Sequence, residues 1–270
     1  MPRQQYGAET ARREMLGMNR HGRSRSSTWK EEKRMNLRPR LGRSFIILFI
    51  AAVPLLAQDT LKVNSESVTL RFENDRVRVL ESVLKIGAKE NTHSHPRYVT
   101  YVIDAGTVRN HRDGTTSDYS FKKGEVLYRD PLTHWAENIG RTASHVIMFE
   151  LKNSDTSGEP FKIAPDMDPV KLSPQYYKVR VENEYVRVLE YRLKPGQKEQ
   201  MHSHPCGVVY YLTGAKSRVS YPAGKTTEGE TTAGEIVWRD PTTHAIENIG
   251  KTESRAIAIE MKGPCKVAAK

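Results

Sequence analysis

Apolar residues along this chain fall in short runs, not in helical stripes. V-R-V-L-E begins at Val77 and again at Val186. V-T-Y-V-I from Val99 has a counterpart in V-Y-Y-L from Val209, and E-V-L-Y-R from Glu125 in E-I-V-W-R from Glu235. H-V-I-M-F-E-L-K from His145 returns as R-A-I-A-I-E-M-K from Arg255. Gly, Asn, Asp and Pro separate the runs, and no 3.6-residue period is sustained. Many short β-rich segments divided by turn residues predict antiparallel strands in a sandwich or barrel. The segments occur twice in the same order, so the chain is a tandem duplication. The first copy is expected at about 61–153 and the second at 171–263, with a Pro- and Asp-rich linker at 154–170. Two such copies in one chain are expected to pair with each other.

One run breaks the pattern. Residues 45–57, F-I-I-L-F-I-A-A-V-P-L-L-A, are continuously apolar, preceded by Arg38, Arg40 and Arg43 and followed by Gln58 and Asp59. A basic flank, a short apolar centre and a small residue at the exit predict a secretory signal peptide at 35–57, with a mature start near Gln58. The run is shorter than the roughly 20 residues of a membrane span, so no membrane insertion is expected after processing. The destination is periplasmic or extracellular. Residues 1–34 are polar, Arg-rich and aperiodic. They read as an extension ahead of a start at Met35, or as disorder if translated. The formal net charge of +11 is concentrated in this N-terminal part. The duplicated body is close to neutral and has no basic stripe interleaved with aromatics, which argues against nucleic acid as a partner. Cys206 and Cys265 both lie in the second copy, and export permits them to pair.

The chemistry lies in the histidines. H-S-H-P occurs at His93 and, 109 residues later, at His202. R-D-P-L-T-H-W-A-E-N-I-G-R-T from Arg129 matches R-D-P-T-T-H-A-I-E-N-I-G-K-T from Arg239. Each copy thus carries His93, His95 and His134, or His202, His204 and His244. Two histidines at i, i+2 on a strand face the same way, and a third from a later strand closes a site for a metal ion. Packing histidines in a degenerate barrel are the alternative; the same triad at matched spacing in both copies argues for ligands. His111 and His145 have no counterpart in the other copy and are not expected to bind metal.

With Gly87 six residues before His93, Gly124 before His134 and Asn138 after it, and the same pattern at Gly196, His202, Gly234, His244 and Asn248, the chain resembles the cupin superfamily, specifically a bicupin. The resemblance spans about 68–262. It implies an all-β fold of two tandem cupin jelly-roll β-barrels, each holding one divalent ion in its mouth. The family's metal-binding glutamate would fall at Val99 and Val208. That leaves three neutral imidazoles per site, open coordination positions and a preference for an anionic ligand. Imidazole suits Fe, Zn, Mn, Ni or Cu without selecting among them.

Counting in twos from His95 and His204 predicts Arg97 and Tyr101 in the first cavity and Cys206 and Tyr210 in the second. Tyr101 and Tyr210 are candidate substrate contacts, with ordinary core tyrosines as the alternative. Arg97, Arg129 and Arg239 are candidate anchors for an anionic group; Arg129 and Arg239 have rim ion pairs as their alternative. Cys206 is a small buried residue or a soft extra ligand. Asn138 and Asn248 are expected behind the ligands, and Glu137 and Glu247 away from them. Two functions are open: a metal-dependent enzyme, dioxygenase-type first, on a small anionic or oxygen-rich metabolite, and a non-catalytic protein that binds metal or a small ligand. No catalytic base stands out from the sequence.

Overall fold

A computed structural model describes residues 58–152 and 159–265. The segments expected as a signal peptide and an N-terminal extension, and part of the linker, lie outside the described residues. Among the described residues no helix is long and apolar enough to cross a membrane.

Each copy is a sandwich of two antiparallel sheets. In the first copy a short helix α1 (Thr60–Val63) precedes β1 (Val68–Glu73), β2 (Val77–Leu84), β3 (His93–His95), β4 (Tyr98–Asp104), β5 (Gly106–Arg112), β6 (Thr115–Phe121), β7 (Val126–Arg129), β8 (Leu132–Asn138) and β9 (Ser144–Leu151). The second repeats this with α2 (Pro169–Leu172), β10 (Tyr177–Glu182), β11 (Val186–Leu193), β12 (His202–His204), β13 (Gly207–Tyr211), β14 (Ala215–Ser220), β15 (Thr226–Thr231), β16 (Ile236–Arg239), β17 (Thr242–Asn248) and β18 (Ser254–Met261). The five-stranded sheets run β1-β2-β9-β4-β7 and β10-β11-β18-β13-β16, and the four-stranded sheets β3-β8-β5-β6 and β12-β17-β14-β15. These are two tandem jelly-roll barrels.

The central strands of the five-stranded sheets are buried on both faces. One face of β2 and β9 lines its own barrel with Leu80, Ser82, Val146 and Met148. The other packs Val77, Val79, Ile147 and Phe149 against Val186, Val188, Ile257 and Ile259 of the second barrel. Alternate positions therefore serve two cores, which is why these strands read as almost continuous apolar runs. Polar contacts cross the seam in a matched pair. Arg71 donates to the Gly234 carbonyl at 3.2 Å and pairs with Glu81; Arg180 donates to the Gly124 carbonyl at 3.0 Å and pairs with Glu190 at 2.5 Å. Gly124 and Gly234 have φ of 77° and 83°, left-handed values that glycine adopts without Cβ strain.

Candidate metal centres

β3 and β8 pair in a register that sets His93 opposite His134, and β12 and β17 set His202 opposite His244. In each triad the three ligand atoms lie within 4.8 Å of one another. His93 Nδ1 donates to the Asn91 carbonyl at 2.7 Å, and His202 Nδ1 to the Gln200 carbonyl at 2.7 Å. The shorter contact to a carbonyl favours the Nδ1–H tautomer, with the Nε2 lone pair turned inward, although Asn64 Nδ2 also lies 3.0 Å from His93 Nδ1. His93 Nε2 lies 2.9 Å from His95 Nε2, and His202 Nε2 2.9 Å from His204 Nε2. Two inward lone pairs this close repel unless a cation lies between them. His134 Nε2 and His244 Nε2 are buried without a hydrogen-bond partner, an arrangement that ordinarily costs stability. Burial, with the neighbouring rings, lowers His93 to about 4, His134 to about 3 and His244 to about 2. His202 and His204 are lowered too, again first by burial. Neutral, converging imidazoles are the state in which a metal ion is bound. The donor set fits a divalent ion at each triad.

A chain of charged groups holds the second histidine of each triad from behind. His95 Nδ1 donates to Glu150 Oε1 at 2.6 Å, Arg78 Nε to Glu150 Oε2 at 2.6 Å, and Arg78 Nη1 to Asp59 at 2.9 Å. In the second barrel His204 reaches Glu260 at 2.5 Å, Arg187 reaches Glu260 at 2.7 Å, and Arg187 reaches Asp168 at 3.0 Å. Asp59 and Asp168 also cap α1 and α2. A carboxylate behind a ligand histidine fixes the ring and makes it a better donor to metal. The sequence reading missed Glu150 and Glu260. Their signal was a glutamate at the same place in both copies of an otherwise apolar strand.

The cavities in front of the ligands differ. The first, of about 410 Å³, reaches all three histidines and is the more polar of the two, with Glu90, Thr100, Asn110, Arg112 and Arg129 among otherwise largely apolar walls. Burial pushes the Glu90 carboxyl up to about 7, against one hydrogen bond from the backbone of Ala136. The second cavity, of about 260 Å³, reaches His204 and His244 between Val209, Tyr211, Val219 and Trp238. Its equivalent carboxyl, Glu199, is enclosed: Tyr177 donates to it at 2.9 Å, and the amide of Ile246 at 3.3 Å. Tyr177 and Tyr191 form a cross-strand pair where the first barrel has Val68 and Ser82. Burial raises Glu199 to about 7 as well. Tyr177 Oη also lies 3.1 Å from His202 Nε2. Glu90 and Glu199, three residues before the first histidine in each copy, were not singled out from the sequence; the candidate ligand sets themselves are three histidines each.

A comparison with protein-family models finds no match, and a comparison of the sequence with curated proteins finds none. Solved structures do match in shape. AerE from Microcystis aeruginosa superposes with a TM-score of 0.53 at 15% identity, over 72% of this chain and 92% of that one. A deletion variant of the Bacillus subtilis oxalate decarboxylase gives 0.51 at 15%, over 76% and 77%. A tryptophan-to-phenylalanine variant of that enzyme gives 0.52 at 14%, over 76% and 78%. These likenesses show the fold alone, a jelly-roll β-barrel built twice.

Several expected cavity residues lie elsewhere in these two barrels. Arg97, Tyr101, Cys206 and Tyr210 do not line the cavities. β3 belongs to the four-stranded sheet and β4 to the five-stranded one. The chain changes sheets at Pro96 and Arg97, so counting in twos across that corner inverts the faces. Tyr98 and Thr100 face the first cavity, while Val99 and Tyr101 face the seam. Tyr101 and Tyr210 meet there with ring centroids 6.3 Å apart. Arg97 lies 4.2 Å over the Tyr185 ring and 3.7 Å from Asp130, so it joins the barrels. Cys206 forms a disulfide with Cys265 and is not a ligand. A glutamate at Val99 would be buried in the seam, away from any metal. Asn138 donates to the Leu84 and Thr142 carbonyls at 2.7 and 2.9 Å, and Asn248 does the same at Leu193 and Thr252. Both asparagines brace turns and do not support ligands. Arg129 and Arg239 do line their cavities. Arg112 joins Arg129 in the first and was not singled out from the sequence.

Proposed function

We propose that the first barrel is a metal-dependent enzyme acting on a small, anionic, oxygen-rich metabolite, with Glu90 as the group that moves a proton. The observation that carries this reading is the contrast between Glu90, which lines the more polar cavity beside a His triad, and Glu199, enclosed by a tyrosine. His93, His95 and His134 would hold a divalent ion, which would supply Lewis-acid chemistry to the substrate. Arg112 and Arg129 supply positive charge for the carboxylate of the substrate. Glu90, held near neutrality by burial, can both accept and return a proton at working pH. A nearby cation lowers that value, so the rate limb assigned to Glu90 falls at or below pH 7.

A carboxyl placed in this way supports proton-transfer chemistry, such as decarboxylation or isomerisation, over the dioxygenase-type reaction expected from the sequence. The solved oxalate decarboxylase is a fold relative with an activity of this kind. The test is turnover by the metal-loaded chain across hydroxy-, keto- and dicarboxylic acids in an oxygen electrode. Substrate loss without stoichiometric oxygen uptake supports the proposal, provided Glu90→Gln abolishes it with metal content retained. Stoichiometric uptake would establish the dioxygenase instead, and saturable binding without turnover would establish a binding protein. Export through the 35–57 segment belongs to the same reading and is supported by the Cys206–Cys265 disulfide, a bond at home in oxidising compartments. A native chain whose N-terminal mass begins near Gln58 supports export; a retained Met1 would end it.

A further inference from the structure

We propose that the second barrel is a binding site in its own right, for a small apolar monocarboxylate of aromatic or branched aliphatic kind. Val209 and Val219 stand in its walls where the first barrel has Thr100 and Asn110, and Tyr211, Trp238 and Ile246 continue the apolar lining. These apolar walls, which share the pocket with Ser217, Glu230 and Thr231, disfavour an oxygen-rich dianion, most of whose lost hydration they would not replace. One cation enters this apolar space. Arg239 Nε and Nη2 are buried without a hydrogen-bond partner. The nearest carboxylate oxygen, Glu260 Oε1 at 3.7 Å, is already engaged by His204 at 2.5 Å. Guanidinium nitrogens left without a hydrogen bond beside a largely apolar pocket are costly, and a ligand carboxylate that reached them would relieve that cost. Burial also holds Arg239 below its usual range, in the sense that a bound anion would relieve. The volume of about 260 Å³ lies just under the range of about 300–1,000 Å³ usual for small-molecule sites, so the occupant is of the size of one ring.

The inference is independent of the enzymatic reading of the first barrel. Its test is calorimetric titration of the full chain, metal-loaded and metal-free, with benzoate and with its neutral isostere benzamide. One benzoate per chain is expected, with benzamide bound at least tenfold more weakly. Ala258→Phe fills the cavity at the position where the first barrel has Met148 and should weaken benzoate at least tenfold. Ala258→Met, a smaller change, should weaken it at least threefold and serves if the larger side chain unfolds the barrel. Absence of saturable benzoate binding to folded protein would overturn the proposal. So would equal affinity for benzamide, or an unchanged affinity in a folded Ala258 variant. Malonate binding and turnover measured on the same Ala258 variants report on the first barrel alone, so the two readings fail separately.

Discussion

In the first barrel the cross-strand pair Val68 and Ser82 leaves Glu90 open to the cavity; in the second, Tyr177 and Tyr191 close over Glu199. Both carboxyls stand at the same place in their copies and both are raised by burial to about 7. The ligand triads and the charged chains behind them are also the same. What differs is the wall. A duplicated metal centre can therefore keep its donors and exchange its chemistry by changing the residues that decide which groups the ligand meets. A carboxyl that faces a cavity is available to a substrate, whereas one engaged by a tyrosine and a backbone amide is part of the frame.

The largest effect that would sharpen this contrast is at the carboxyls themselves. Glu90→Gln is expected to lower turnover by about 10²–10⁴-fold, the usual weight of a general acid or base, with metal content by elemental analysis unchanged. Glu199→Gln should change turnover by less than about threefold. Equal losses would dissolve the distinction between the barrels. Rebuilding the first wall as the second tests the same idea from the side. Val68→Tyr with Ser82→Tyr should enclose Glu90 and cost about tenfold or more in turnover, the scale of losing part of an acid–base contribution, while the unfolding transition remains cooperative.

The shared machinery predicts equal effects. Glu150→Gln should weaken metal binding in the first barrel by about 10–100-fold, and Glu260→Gln by the same factor in the second. Metal retained per chain after dialysis measures both. A loss confined to one barrel would show that the charged chains are not equivalent.

The smallest effect is in pH. Buried His134 and His244 are held at about 3 and about 2, below their ordinary value of 6.5. The unfolded chain takes up protons below 6.5 and the folded one does not. Their contribution to stability is thus present above 6.5 and lost as the pH falls towards those lower values. Glu90 and Glu199, raised from 4.5 to about 7, act in the opposite sense, because folding favours their protonated form and stability is lost as pH rises from 4.5 to 7. The lowered histidines outnumber them, so the metal-free protein should lose stability on acidification below 6.5. His134→Phe and His244→Phe should each flatten that slope by one proton, about 1.4 kcal/mol per pH unit, as read from denaturant midpoints between pH 4 and 6.

The strands, the duplication and the convergence of His93, His95 and His134 were legible because each rests on local pattern or on a repeat. The side-chain faces beyond the histidines were not. Alternation holds within a strand, and the corner at Pro96 and Arg97 moves the chain from one sheet to the other. Nothing in the run H-S-H-P-R-Y-V-T-Y marks that corner apart from the proline. The apolar character of β4 was no help either, since both of its faces are buried, one on the cavity and one on the seam. Glu90 and Glu150 were legible in principle. Each is an acidic residue repeated at the same position of the other copy, and in Glu150 the repeat lies inside an apolar strand where an unpaired charge would be expelled. Arg112 has no such repeat, and only the fold brings it to the cavity.

Glu150 lies 55 residues after His95 in sequence, on the last strand of the barrel, and that strand takes its place between β2 and β4. Asp59, at the other end of the charged chain, precedes the first strand. The histidines are therefore held in ligand geometry only when the beginning and the end of a barrel have come together, the slowest kind of closure for a chain to make. On this topology, metal capture would be a late event in the life of the molecule. Which ion is captured is then decided by the pool present where folding finishes, since imidazoles alone discriminate poorly among the first-row metals. A chain exported before it folds would choose its metal at its destination and not at the ribosome.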